Sequence, residues 1–163
     1  MTRLFRSALL LCALPVAAAA QGTSAAADRT REREVLAVVQ RLFDGMRAGD
    51  SAAMRATFHP GAQLMSVGSK AGVSTLEVDS LDDFLSAIGK PHPERYDERT
   101  SNPRVHIDGD LAAVWTDYAF YVGDKFSHCG VDAFHLFRGP DGWKIISIAD
   151  TRRREGCAQA TAK

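Results

Sequence analysis

The first half of the chain opens with a long amphipathic pattern. Apolar residues recur about every 3.6 positions over residues 35–46, while arginine, glutamate and glutamine occupy the opposite side. This spacing predicts one long helix. Gly49 suits its C-terminal cap, and Asp50 suits the N-cap of a short second helix, which we expect to end at the His-Pro-Gly turn of residues 59–61.

The next segment predicts a β-hairpin followed by a third helix. Residues 62–67 and 73–78 are strand-like, and residues 68–72 between them contain two glycines. Ser80 then offers an N-cap, with Asp83 three residues later. The apolar positions that follow have helical spacing, so we expect the third helix to begin here.

Strand patterns separated by short, glycine-containing turns fill the rest of the chain. They are expected at residues 105–107, 111–122, 126–138 and 143–150. Because each turn is short, neighbouring strands must be antiparallel. Two helices, a hairpin, a third helix and a long meander indicate an α+β fold, in which a curved antiparallel sheet of about six strands wraps on three helices from the N-terminal half.

The N-terminus has the pattern of a secretory signal peptide. Arg3 and Arg6 precede an apolar run at residues 8–14, and alanines occupy positions 17–20. The run is too short to span a membrane, which takes about 20 apolar residues. We therefore expect a secreted or periplasmic protein with no membrane insertion after signal removal. Its expected parts are a signal peptide at 1–20, a flexible leader at 21–29, a single domain at 30–157 and a disordered tail at 158–163.

The composition is that of a folded domain and excludes two functional classes. The 163 residues are 45% hydrophobic, and 20 basic side chains balance 20 acidic ones. A disordered chain would contain fewer apolar residues and carry more net charge, and non-specific nucleic-acid binding would need a broad positive field. We therefore expect no nucleic-acid partner.

Two cysteines remain after removal of the signal peptide. Cys129 and Cys157 would lie in an oxidising compartment, where a disulfide is the leading interpretation. A zinc or redox site is the weaker alternative, because the two thiols lack CxxC spacing. Regular pairing across a turn at residues 139–142 would place Arg152 opposite Cys129, and a short return of the chain would then bring Cys157 back.

Two stretches of the sequence resemble the NTF2-like superfamily. Residues 35–60, VLAVVQRLFDGMRAGDSAAMRATFHP, are similar to its opening helices, and residues 130–153, GVDAFHLFRGPDGWKIISIADTRR, are similar to its closing hairpin. The similarity is greatest to the small SnoaL-like and lumazine-binding branch, and it spans about residues 30–153. It implies a cone-shaped domain whose bent sheet encloses an apolar pocket, often in a homodimer. It does not imply one activity, because the superfamily contains isomerases, cyclases, dehydratases and many binding proteins.

Strand alternation groups candidate site residues on one face of the sheet. A three-residue loop at residues 123–125 would pair the two long strands so that one face carries polar side chains amid apolar ones. These side chains are Thr116, Tyr118, His128 and Asp132. A two-residue loop would shift the pairing by one position, so both registers stay open at this point. A few polar groups in apolar surroundings are typical of a ligand pocket.

The same side chains could serve binding or catalysis. Asp132 or His128 could act as the acid or base of a proton transfer, with the Tyr118 phenol as a donor to an oxyanion. Contact with a ligand without chemistry is the use that we favour, and a satisfied core position is the structural alternative for each. His59, beside the turn after the second helix, and Arg152, after the last strand, are further candidates for ligand contact. Arg152 would hold a carboxylate or phosphate, or else form an ion pair with Asp150 at the sheet edge.

No motif for a cofactor, nucleotide or metal occurs in the sequence. It contains no GxGxxG, Walker, GxSxG, HExxH or EF-hand pattern, and its histidine spacings match no metal motif. We therefore expect no cofactor and no metal site. The isomerases of the superfamily pair a helix tyrosine with strand carboxylates, whereas the first helix here has Phe43 and no tyrosine. This difference argues against their mechanism.

Three functional hypotheses follow. The first is an exported NTF2-like domain that binds a small, partly apolar ligand in its cone. The second is a cofactor-independent lyase, isomerase or hydrolase that uses the same pocket. The third is a protein-interaction module or dimer interface on the convex sheet face, where Trp115 and Tyr121 are expected.

Overall fold

Helices precede most of the sheet in chain order. The structure, a computed structural model, describes residues 17–157, with side chains described from residue 25 onward. Within this range the helices are α1 (Ala17–Ala48), α2 (Ser51–Arg55) and α3 (Leu81–Gly89). The strands are β1 (Phe58–Lys70), β2 (Val73–Asp79), β3 (Tyr96–Asp108), β4 (Leu111–Val122), β5 (Lys125–Gly139) and β6 (Gly142–Thr151). The predicted order of elements and the α+β class are confirmed.

Helix α1 buries the apolar stripe that the sequence predicts. The side chains of Val35, Leu42 and Phe43 are at most 4% exposed. The helix begins at Ala17, so the segment 21–29 lies within it, and residues 25–30 are exposed. The alanines of this segment favour helix without tertiary contacts. Its role as a leader after signal removal stays a prediction, and residues 1–16 and the predicted tail 158–163 lie outside the described part of the chain.

Capping residues end α1 and begin the two helices that follow, as the sequence predicts. Gly49 has a φ of +67°, and its N–H donates to the Met46 carbonyl at 3.0 Å. The Asp50 carboxylate accepts the N–H of Ala53 at 2.9 Å, and the Ser80 hydroxyl caps α3 in the same way. These caps turn the chain sharply between α1 and α2.

The turn predicted at residues 59–61 is wrong. Helix α2 ends at Arg55, and β1 already begins at Phe58. Phe58 pairs with Ile145 of β6. Pairing with another strand therefore outweighs the local turn preference of the His-Pro-Gly sequence, and the proline is accommodated where the β1–β6 register is irregular.

The strands form one six-stranded sheet in the order β2-β1-β6-β5-β4-β3. All neighbours are antiparallel except β1 and β6, which run parallel. The sequence predicts the antiparallel pairs but not this parallel one, which attaches the β1–β2 hairpin to the last strand. Strand β3 also begins at Tyr96, well before the strand predicted at residues 105–107. The Asn102-Pro103 dipeptide conceals the first part of this strand because both residues are poor strand formers.

Strands β4 and β5 pair in the predicted register, although the turn between them is shorter than expected. Thr116 lies opposite Asp132, as the grouping of candidate site residues requires. The loop contains two residues, 123–124, and not the expected three. One unpaired residue in β5, Ser127, forms a bulge that restores the register.

The pairing of β5 with β6 differs from the expected pairing by one residue. Regular pairing from the 139–142 turn would place Arg152 opposite Cys129, but Arg153 lies there. The cause is a bulge in β6, where Ile146 has no partner in β5. Arg152 therefore lies on the other face of the sheet from Cys129.

The core lies between the concave face of the sheet and the helices. Phe134 of β5 and Leu42 of α1 are each 1% exposed, and the Phe43 ring meets the Phe134 ring edge-on at 6.1 Å between centroids. Packing of α1 and α3 on one face produces the unclosed cone. Within residues 17–157, none of the helices has the length and apolar character that crossing a membrane requires.

Candidate functional site

A cavity of about 230 Å³ lies between the concave face of the sheet and helices α1 and α3. Helix and strand residues together form its apolar lining, which includes Leu42, Phe43, Met46, Phe84, Phe120 and Ile148. Sites for drug-sized ligands are about 300–1,000 Å³. The cavity is therefore suited to a small molecule.

Polar side chains concentrate on the cavity wall formed by strands β3 to β6. They are Glu98, Tyr118, His128, Asp132, Asp150 and Arg152. Residues two apart on a strand share a face, and the pairing of β5 with β6 places Asp132 directly opposite Asp150. The cavity therefore combines an apolar body with a polar wall that contains three carboxyl groups.

Asp150 is surrounded by hydrogen-bond donors. The Ser66 hydroxyl donates to its Oδ1, and Arg152 Nε donates to its Oδ2 at 2.8 Å. The Tyr118 hydroxyl lies 3.3 Å from the same Oδ2. These partners, one of them a cation, give both carboxylate oxygens a hydrogen-bond donor.

Glu98 and Asp132 form a different kind of carboxyl pair. Asp132 is 3% exposed, and among the described residues no N–H or hydroxyl group donates a hydrogen bond to its Oδ2. The Glu98 carboxyl lies close enough to influence its pKa, and two carboxyl groups can share a hydrogen bond only if one keeps its proton. Burial raises the pKa of Asp132 to about 7. Burial and the adjacent Asp132 charge also raise the pKa of Glu98 well above its usual range, so the pair holds a shared proton near neutral pH.

The Tyr118 side chain crosses β5 and braces β6. Its hydroxyl donates to the Thr151 carbonyl at 2.9 Å. Gly130 makes this crossing possible, because a Cβ at that position would lie 1.7 Å from the Thr151 carbonyl oxygen and 2.6 Å from the tyrosine ring. Burial, followed by the charge of Asp150, raises the pKa of Tyr118 far above its usual value. The phenol therefore keeps its proton, and stabilising an oxyanion would require it to leave Thr151.

His128 lies on the same wall, toward the start of β5. Its ring lies 5.0 Å from the Phe120 ring between centroids, and its Nδ1 is 3.0 Å from the Ser127 hydroxyl. Burial and the nearby charge of Arg152 lower the pKa of His128. The imidazole is therefore neutral at neutral pH and can either donate or accept a hydrogen bond through Nε2.

A disulfide fastens the segment that follows β6. It joins Cys129 to Cys157, the two cysteines that the sequence pairs, with 5.8 Å between their Cα atoms. Cys129 and Arg153 also exchange two backbone hydrogen bonds of 2.9 Å. The segment 152–157 is thereby held beside the cavity, next to His128.

One family model matches nearly the whole described domain. Residues 30–149 match the family described as "Putative lumazine-binding". The chain belongs to this family. The matched residues contain the helices that line the cavity and all of its polar wall except Asp150 and Arg152.

Solved structures show that this lumazine-binding-family domain has the NTF2-like fold. An NTF2-like protein with a cystatin-like fold from Novosphingobium aromaticivorans superposes with a TM-score of 0.69 at 12% identity, covering 88% of this chain and 94% of its own. An NTF2-like superfamily protein from Salmonella enterica serovar Typhimurium gives 0.61 at 13% identity, covering 83% and 99%. An NTF2-like protein of unknown function from Shewanella baltica gives 0.58 at 19% identity, covering 77% and 96%. None of the curated proteins compared matches the sequence. The resemblance to the NTF2-like superfamily is confirmed, and at these identities the solved structures show the fold alone.

Most of the predicted ligand-contact residues line the NTF2-like cavity, but two do not. Those that line it are Tyr118, His128, Asp132 and Arg152. Thr116 is 1% exposed and lies outside the lining, and its hydroxyl donates to the Ser101 carbonyl at 2.8 Å. His59 lies at the start of β1, also outside the lining, with its ring 6.4 Å from that of Phe137. We therefore leave Thr116 and His59 out of the proposed site. Within residues 17–157, no three or more histidine, cysteine, aspartate or glutamate side chains are arranged to hold a metal ion.

Sequence reasoning missed two carboxyl groups of this wall. Glu98 lies in the part of β3 that was not predicted, and it faces the cavity opposite Phe120. The signal that could have found it is the Asn-Pro pair at residues 102–103, which marks a bulge within a strand and not the start of one. Asp150 was expected only as a partner of Arg152. Its position opposite Asp132 depends on the bulge in β6, for which we find no signal in the sequence.

Proposed function

We propose that this protein is an exported domain that binds a small, partly apolar molecule in its cavity, with a polar edge of the ligand against Glu98 and Asp132. The observation that carries this proposal is a pair of carboxyl groups, the buried Asp132 and the half-buried Glu98, on the polar wall of a cavity whose body is apolar. Burying the Asp132 carboxyl without a ligand is costly, because no N–H or hydroxyl group of the described residues donates to its Oδ2. A ligand edge that hydrogen-bonds to the more accessible Glu98 carboxyl would hold the pair in place and offset part of that cost.

The protonation of the pair indicates the chemistry of the ligand edge. A carboxyl pair that shares one proton presents an O–H donor and acceptor oxygens side by side. A ligand edge with an adjacent N–H and C=O, as in an amide or imide, complements both. Asp150 is already balanced by Arg152, so the wall favours a neutral ligand at this point. Lumazine, the molecule in the family's description, carries such an imide edge on a flat ring system.

Export is proposed on separate grounds. The N-terminal sequence has the signal-peptide pattern, and the Cys129–Cys157 disulfide suits an oxidising compartment. Both features belong to a secreted or periplasmic protein. The intact mass of the exported chain tests this part of the proposal.

The binding proposal is tested on protein purified from the exported fraction without refolding. Native mass spectrometry would detect a retained small molecule, and lumazine fluorescence would be titrated with the protein. Asp132→Leu replaces the carboxyl group by an apolar group of the same branching and removes a buried acid, so it should abolish binding without lowering the melting temperature. The matched control is Asp141→Leu in the exposed β5–β6 turn, which should bind as wild type does. Equal binding by Asp132→Leu and wild type, or neither a retained molecule nor lumazine binding, would contradict the proposal.

A second candidate function is proton-transfer catalysis in the same cavity. The raised pKa of Asp132, about 7, favours it, because a general base works best when its pKa is near the working pH. Asp132 would take a proton from a carbon next to a ligand carbonyl, and Glu98 would hold the shared proton near the carbonyl oxygen. The test is deuterium incorporation from D₂O into small cyclic ketones. Asp132→Asn should stop exchange while ketone binding persists. If this variant exchanged deuterium at the wild-type rate, Asp132 would not be the base.

A homodimer through the convex sheet face is a further proposal. Trp115 is 52% exposed on this face, and Phe126 and Phe137 are each more than 40% exposed. Exposed aromatic side chains of this kind are enriched at protein interfaces. Light scattering of wild type and Trp115→Lys decides the point: the wild type should have the mass of a dimer and the variant that of a monomer. A monomeric wild type would contradict the proposal.

A further inference from the structure

A second pocket adjoins the cavity at the start of β5 and the end of β6. Its volume is about 250 Å³, and it is lined by His128, Arg152, Arg153 and Arg154, a set that we call the basic pocket. His128 and Arg152 also line the main cavity, so the two spaces share a wall. The chain as a whole has a formal net charge of zero. Three arginines beside a neutral imidazole are therefore an uneven distribution of charge, which creates a local positive potential.

The arginines of the basic pocket keep unused donors. Arg152 donates through Nε to Asp150, which leaves the terminal nitrogens of its guanidinium. Arg153 and Arg154 form no ion pair within the described part of the chain, although Glu155 follows them directly. Guanidinium groups present fixed pairs of N–H donors that match the oxygens of a phosphate, sulfate or carboxylate. The pocket therefore offers an anion several donors at once.

The segment that carries these arginines is fixed at both ends. Strand β6 precedes it, and the Cys129–Cys157 disulfide closes it. Between these points, the backbone of Arg153 is hydrogen-bonded in both directions to Cys129. Fixing the backbone in advance lowers the entropy cost of binding.

We propose that the basic pocket binds a terminal anionic group of the same small molecule whose apolar part occupies the main cavity. The apolar part of this inference rests on the proposed function, whereas the anion site stands on the basic pocket alone. The remaining negative charge of the Glu98–Asp132 pair repels an anion inside the cavity, and the basic pocket attracts one beside it. This separation of charge fixes the direction of the ligand, with its neutral hydrogen-bonding edge inside and its anionic end outside.

Matched probes test the inference by calorimetry at constant ionic strength. Inorganic sulfate probes the anion site alone, 1-octanol probes the apolar cavity alone, and octyl sulfate probes both. Octyl sulfate should bind wild type at least about tenfold more tightly than 1-octanol, because charge-assisted hydrogen bonds add to the same apolar contact. A parallel titration with octanoate distinguishes a carboxylate ligand from a sulfate- or phosphate-like one. Equal affinities for 1-octanol and both anionic probes would overturn the inference.

Three arginine variants show whether the effect is local. Arg153→Gln and Arg154→Gln should each weaken octyl sulfate binding by about twofold to fivefold, the moderate size expected for exposed charges, and leave 1-octanol binding unchanged. The control is Arg138→Gln, which removes the same charge from an exposed position at the other end of β5. It should bind octyl sulfate as wild type does. An equal loss in all three variants would show only a general charge effect and would contradict the site.

The imidazole of His128 gives a readout that is independent of affinity. The groups that face it are Arg152, Asp150, Arg154, Tyr118, Phe120 and Ser127. A bound anion offsets the arginine charge, so saturating sulfate should move the NMR titration of His128 to higher pH. Titration at the same pH with and without sulfate would contradict the anion site.

The two proposals fail in different ways. If 1-octanol and lumazine bind but sulfate has no effect on His128, the anion site is refuted and the proposed function survives. If sulfate shifts His128 but neither 1-octanol nor lumazine binds, the anion site survives, while the proposed function and the shared ligand are refuted.

Discussion

Asp132→Asn tests whether Glu98 and Asp132 share a buried proton. The substitution keeps the size of the side chain, removes its ability to ionise and supplies an N–H donor to Glu98. In wild type, the folded protein holds a proton on a group whose pKa rises from its ordinary value of 3.8 to about 7. Folding and protonation are therefore linked, and the variant removes that link.

The direction and size of the effect follow from this shift. Between about pH 4 and pH 7 the folded state binds more protons than the unfolded state, so the free energy of unfolding of wild type falls as the pH rises. The stabilising contribution of Asp132 is fully present below the pKa that this group has in the unfolded chain. It is lost as the pH rises past the pKa that the group has in the folded protein. Each pKa unit corresponds to about 1.4 kcal/mol, which gives about 4 kcal/mol for Asp132 alone. Because Glu98 shares the proton, we expect a loss of about 2–4 kcal/mol.

Two other groups contribute to the pH dependence of stability. Burial alone would raise the pKa of Asp97, but hydrogen bonds from Arg47 and Arg99 lower it below its usual value, so its contribution is lost only at more acidic pH. The lowered pKa of His128 makes stability rise with pH up to about 6.5, in opposition to Asp132. The difference between variant and wild type at each pH removes both contributions.

The assay is urea unfolding of the oxidised protein from pH 4 to pH 8, for wild type, Asp132→Asn and the exposed control Asp141→Asn. The stability of Asp132→Asn relative to wild type should increase by about 2–4 kcal/mol across this range, whereas the control should show no such trend. The variant should be the more stable protein at pH 8. A difference that does not change with pH, or a variant that is destabilised most at pH 8, would refute the shared proton.

Three further predictions concern packing, the disulfide and export. Gly130→Ala should destabilise the domain by about 1–3 kcal/mol or more, because the new Cβ would overlap a carbonyl oxygen of β6, whereas Gly61→Ala, with its nearest contact at 3.5 Å, should change urea stability little. Serine at both Cys129 and Cys157 should lower the free energy of unfolding by about 3 kcal/mol; two alkylatable thiols in the unreduced wild type would contradict the bond. Intact mass of the exported chain should place its N-terminus near Gln21, and a mature chain that retained the first twenty residues would refute export.

The sequence predicts the fold well because most of its elements are locally consistent. The apolar stripe of α1, the Ser80 cap of α3 and the glycine turns each have a local cause that tertiary packing does not reverse. Residues 59–61 are the exception. There the parallel pairing of β1 with β6 overrides a turn signal, and no local pattern announces a contact between residues so far apart in the chain.

The candidate site could be predicted only in part because alternation defines faces but not bulges. Tyr118, His128 and Asp132 were grouped correctly, although through the wrong loop length. The three-residue loop of the prediction and the two-residue loop with a bulge at Ser127 produce the same register beyond the turn. The grouping was therefore right for a reason different from the one proposed.

Bulges also explain how the polar wall is assembled. Regular pairing of β3 with β4 would place Glu98 on the convex face, and the irregularity at residues 102–103 turns it into the cavity. Regular pairing of β5 with β6 would place Asp150 and Arg152 on the convex face, and the bulge at Ile146 brings both to the side of Asp132. A bulge reverses the facing of every residue beyond it at the cost of one unpaired residue. The bulges in β3 and β6 therefore bring two of the three carboxyl groups to the polar wall. A change that restored regular pairing in β3 or β6 would remove a carboxyl group from the site while leaving the number of strands unchanged.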